Sequence, residues 1–67
     1  MKKTQRRILG TMLSLADENM EVEADLKTLA TEAGYKAPGG IITYALEVLE
    51  YHNKIVKIGK NKWRITV

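Results

Sequence analysis

Sixty-seven residues with a net charge of +3 make one small domain. Such a chain buries only about 60% of its unfolded surface, so every apolar face must serve one core. The absence of cysteine excludes a disulfide framework and thiolate metal sites, and 45% apolar content excludes a disordered chain.

The first element is a helix expected over about residues 4–17. Thr4 is an acceptable N-cap, and Ile8, Leu9, Met12, Leu13 and Ala16 recur at three- and four-residue spacing. Gly10 costs about 1 kcal/mol relative to alanine but sits on the opposite side. Asp17-Glu18-Asn19 ends this helix, and Met20 to Val22 leaves room for a few extended residues. A short second helix is expected over about 24–33, with Glu23 or Asp25 at the end where the helix dipole favours an acid. Leu26, Leu29, Ala30 and Ala33 form its stripe, and Gly34 takes the C′ position.

After the turn Tyr35-Lys36-Ala37, Pro38 is expected in the first turn of a third helix over about 38–53. Ile42, Ala45, Leu46 and Leu49 make its central stripe, widened by Ile41 and Val48. Thr43, Tyr44, Glu47, Glu50 and Tyr51 share the remaining surface. The period then changes from 3.6 to 2, and about residues 55–67 read as a β-hairpin with Gly59-Lys60-Asn61-Lys62 at its tip. Val56, Ile58, Trp63, Ile65 and Val67 are expected to face the core, with Lys57, Arg64 and Thr66 outward. The expected fold class is α+β, in a single domain over 1–67.

Charge is divided along the chain. Lys2, Lys3, Arg6 and Arg7 give residues 1–7 a charge of +4. All eight acids lie in residues 8–53, against Lys27 and Lys36, for −6. Residues 54–67 hold Lys54, Lys57, Lys60, Lys62 and Arg64, for +5. Two basic ends around an acidic middle point to a polyanion touched by two patches.

The run Leu29-Ala30-x-x-Ala33-Gly34-Tyr35, then Ala37-Pro38, Ala45-Leu46-x-x-Leu49-Glu50 and Ile55-Val56, resembles a winged helix-turn-helix domain. With the first helix and the hairpin, the resemblance covers nearly the whole chain. It is most similar to the amino-terminal domain of LexA-type repressors and to small MarR- or ArsR-like regulators. The resemblance implies a third helix in a DNA major groove and a wing on the backbone or minor groove. It carries that role onto Lys36, Gly39, Gly40, Thr43, Tyr44 and Glu47 in the helix region, and onto Lys60 and Lys62 in the wing. Gly39-Gly40 stands where that pattern has polar base-reading residues, and the stretch from Pro38 to Leu46 is about one residue longer.

The residues themselves add to this. Lys60 and Lys62 flank Asn61 at the tip, and Lys57 and Arg64 would extend a basic wing toward phosphates. Thr43 and Tyr44 could touch base edges or a thymine methyl, while Gly39 and Gly40 permit close backbone approach. Trp63 reads as core, and His52, alone and near a helix end, is no metal site. The glycine spacing Gly34-x-x-x-x-Gly39 lacks the lysine and hydroxyl of a phosphate-binding loop.

The expected function is therefore DNA binding by a small transcriptional regulator of repressor type, similar to those of phages and other mobile elements. No enzymatic activity, catalytic residue, metal or cofactor is expected. Lys2-Lys3 ahead of Ile8 to Ala16 imitates a signal peptide, but Gly10, Thr11 and Ser14 break its apolar run. A cytoplasmic location without membrane contact is expected. The partner would be double-stranded DNA, bound as a homodimer or beside a partner protein, with Leu15, Met20 and Tyr51 as contact candidates. The alternative is a winged helix that docks a protein and has lost DNA binding, which the acidic third helix supports.

Overall fold

A computed structural model describes residues 2–66 as three helices and one three-stranded antiparallel sheet, an α+β fold. Val67, expected to face the core, lies outside the described residues. The elements are α1 (Lys3–Leu15), β1 (Glu21–Glu23), α2 (Leu26–Glu32), α3 (Gly40–Tyr51), β2 (Ile55–Gly59) and β3 (Lys62–Ile65). No helix among the described residues is long and apolar enough to cross a membrane.

Helix α1 starts one residue before the expected Thr4 and ends two before Asp17. Lys2 is the N-cap, and its backbone N–H donates to the Gln5 side-chain oxygen at 3.0 Å, so Gln5 is buried beside the helix start. At the other end Asp17 serves a turn rather than the helix. Its Oδ1 accepts from the backbone N–H groups of Asn19 (2.8 Å) and Glu21 (3.0 Å). The inner line of α1 is Gln5, Ile8 and Met12, which leaves Leu13, expected in the stripe, exposed.

Helix α2 begins where Asp25 Oδ1 accepts from the Thr28 N–H at 2.8 Å. It stops at Gly34, whose φ of 88° is the left-handed conformation glycine adopts freely. The Gly34 N–H reaches the Thr31 carbonyl and the Tyr35 N–H the Ala30 carbonyl, the paired bonds of a Schellman stop. Helix α3 ends in the same way with Asn53 at φ 59°: Asn53 donates to Glu50 and Lys54 to Leu49.

The start of α3 differs from the expectation. Extended Gly39 is the N-cap, so Pro38 lies before the helix rather than in its first turn. The Gly39 carbonyl takes the first helical bonds, from Ile42 and Thr43. Ile42, Ala45, Leu46 and Leu49 are buried as expected, while Ile41, expected to widen the stripe, is 54% exposed.

Strand β3 lies in the middle of the sheet, between β1 and β2. The register sets Val22 and Lys57 opposite Trp63, Ile55 opposite Ile65, and Glu21 and Val56 opposite Arg64. Opposite residues share a face, so the expected facing of β2 is reversed. Ile55 is fully buried, Val56 and Ile58 are exposed, and Lys57 lies on the Trp63 side. A bulge between Lys57 and Gly59 leaves Ile58 without a partner on β3. The core joins Ile8, Met12, Val22, Leu29, Ile42, Leu49, Ile55 and Trp63, drawn from all three helices and all three strands.

Candidate nucleic-acid interface

The outer side of α3 carries Tyr44, Glu47 and Tyr51, opposite the buried line of Ile42, Ala45, Leu46 and Leu49. Each flank of the helix faces a different element. On one flank Thr43, Glu47 and Glu50 border a cleft of about 190 Å³ with Lys57, Asn61 and Trp63 of the hairpin. On the other, Ile41 and Tyr44 border a cleft of about 180 Å³ with Lys2, Thr4 and Gln5 at the start of α1. Lys2 and Lys57, one from each basic end of the sequence, therefore border the same helix on its two flanks.

The start of α3 is open. Lys36 is exposed in the preceding turn, and a Cβ added to Gly39 or Gly40 would meet nothing within 4 Å. Gly39 is extended, a conformation open to any residue, and Gly40 is helical. Neither glycine is required by the chain's own backbone or packing. Arg7 lies over the Tyr35 ring at 5.6 Å, which ties α1 to the turn leading into α3.

The hairpin is less uniformly basic than its sequence. Lys60 is exposed in the two-residue loop, and Asn61 takes a left-handed φ of 55° while its carbonyl accepts from the Ala24 N–H at 2.9 Å. Lys57 and Arg64, expected together on the outer face, stand on opposite faces. Arg64 Nη2 donates to Glu21 Oε2 at 2.8 Å and Nε to the same oxygen at 3.3 Å. Lys62 Nζ lies 3.7 Å from Glu21 Oε1. Glu21 is the residue that sequence reasoning missed. The alternation Glu21-Val22-Glu23 was the available signal, because it reads as a short half-buried strand.

Two carboxyls are held below the ordinary carboxylate range. For Asp17 the chief cause is the Glu21 backbone N–H, helped by Asn19 and by the charge of Lys62. For Asp25 it is the Thr28 backbone N–H, followed by the Thr28 hydroxyl. Neither belongs to a metal site: no group of three His, Asp or Glu side chains able to hold an ion occurs among the described residues. His52 stacks edge-on against Tyr51 at 5.3 Å.

No family model matches the chain, and no curated protein or solved structure matches it either.

Proposed function

We propose that the chain is a winged helix-turn-helix DNA-binding protein, a small transcriptional regulator with α3 as its groove-reading helix and the β2–β3 hairpin as its wing. The observation that carries this reading is the position of α3 between two cation-bearing margins, Lys2 at the start of α1 and Lys57 on the hairpin. A helix of about 10–12 Å diameter fills a major groove about 12 Å wide, and phosphates line both edges of that groove. Cations flanking a helix on both sides match that arrangement. Thr43, Tyr44 and Glu47 stand where base edges would lie. Thr43 and Tyr44 suit a thymine methyl, and a Glu47 carboxylate can accept from a cytosine amino group.

Titration against duplex DNA across salt tests the reading. Contact with about four to six phosphates gives a log–log slope of about −3 to −5 per protomer. Absence of binding to any duplex at low salt would sink it.

A second reading, a winged helix that docks a protein, has one specific observation in its favour. Ile41, Tyr44 and Tyr51 are 54%, 58% and 83% exposed on a helix that offers no Arg, Lys, Asn or Gln to a base. Charge reversal separates the two: Glu47→Lys with Glu50→Lys strengthens non-specific DNA binding if α3 lies in a groove. A double variant that binds duplex DNA no better than the parent favours the protein-docking reading.

A further inference from the structure

We infer that Glu21 is a positioning residue that holds Arg64 and Lys62 away from DNA, so that the wing grips phosphate through Lys60 and Lys57 instead. The inference rests on the DNA-binding reading above and assigns the face of the wing that is used.

Both oxygens of Glu21 are engaged, Oε2 by Arg64 at 2.8 Å and Oε1 by Lys62 at 3.7 Å. The register explains why one carboxylate serves two cations. Glu21 stands directly opposite Arg64, Glu23 stands opposite Lys62, and all four side chains share the outer face of the sheet. Two acids and two bases leave these four side chains with no net charge between them. The Glu21 side chain is 18% exposed, against 52% for Arg64 and 40% for Lys62. The carboxylate is thus the covered member of the group, and its Asp17-bound backbone N–H fixes the turn that presents it.

A carboxylate and a phosphate ask the same of a guanidinium, since each accepts its N–H donors through anionic oxygens. For Arg64 to grip DNA, a phosphate must displace Glu21 or share its partner, and two anions on one cation repel. Exposed ion pairs are weak, so the arrangement biases the wing rather than locking it. Among the described residues neither Lys57 nor Lys60 is held in an ion pair: Lys60 projects from the loop, and Lys57 borders the cleft of Glu47 and Glu50 on the α3 side without closing a salt bridge to either.

The test compares Glu21→Gln, Lys60→Gln and the double variant Lys62→Gln with Arg64→Gln, each titrated with a random-sequence duplex from about 50 to 200 mM salt. Melting curves run alongside to establish that each variant is folded. Release of two cations by Glu21→Gln should steepen the slope by about 0.9 to 1.8 and tighten binding at the low-salt end. Lys60→Gln should flatten the slope by about 0.9, while the double variant should flatten it by less than half that. If Glu21→Gln does not fold, the contrast between Lys60→Gln and the double variant decides alone. A parent that binds, with a double variant whose slope falls by about 1.8, overturns the inference and leaves the DNA reading standing. A folded Glu21→Gln variant with the parental slope also overturns it. A parent that binds no duplex at all removes the DNA reading, and this inference with it.

Discussion

Lys57 stands directly opposite Trp63 across the β2–β3 ladder, on the face of the sheet that looks toward α3. It borders one cleft with Trp63, Glu47 and Glu50, a setting that suits a long cation whose stem can cover apolar surface while its charge stays in water. Under the proposed function Lys57→Gln lowers duplex affinity and flattens the salt slope by about 0.9, one phosphate contact. Lys57→Glu lowers affinity further, because a third acid joins the cleft. Fluorescence titration of both variants in a salt series checks the order: parent, then Gln, then Glu.

Gly40 offers a test in which stability and binding move in opposite directions. Open space surrounds its missing side chain, and its backbone is already helical. Gly40→Ala should stabilise the fold by about 0.4–1 kcal/mol by restricting the unfolded chain. The midpoint of thermal unfolding should rise by about 2–8 °C for a domain of this size. If a DNA backbone or base edge approaches the start of α3, the added methyl stands in its way and duplex affinity falls. A variant both more stable and equally tight would remove Gly40 from the interface.

Acid should unfold the domain through its turn and cap carboxyls. Asp17 and Asp25 titrate below their ordinary value of 3.8 when folded. Their contribution is present in full above the unfolded value and is lost as pH falls through the folded one. The thermal midpoint should therefore hold steady down to about pH 5 and drop below about pH 4. Asp25→Asn keeps a capping oxygen but removes the titration, so it should lower the midpoint modestly at pH 7, flatten the acid limb and converge with the parent at low pH. An acid limb identical to the parent's would show that the cap carries no pH dependence.

The helices were legible because their apolar positions repeat every three or four residues over several turns, and because Gly34 marks a stop without ambiguity. The hairpin was legible as an element but not in its facing. Ile55-Val56-Lys57-Ile58 holds three apolar residues in four, so either alternate set can claim the core, and one step exchanges the faces. Pairing of Ile55 with Ile65 and the bulge after Lys57 decide it, and both depend on β3 rather than on the segment itself. Pro38 misled for a related reason: proline opens helices often, but the extended Gly39 that follows defers the first turn. Glu21 was out of reach as a partner of Arg64, since the two are 43 positions apart and only the sheet brings them together.

The central place of β3 has a consequence for how the chain acquires its shape. Strands β1 and β2 do not touch each other; each finds its ladder only on β3, the last of the six elements. Helices α1, α2 and α3 can start from contacts within a turn or two, whereas β1 must wait for residues some forty positions on. A chain interrupted after Gly59 would keep its helical stripes but leave Val22 and Ile55 without the strand that covers them. Both ladders of the sheet thus depend on residues 62–65, and without them β1 and β2 each present unpaired backbone to any passing chain.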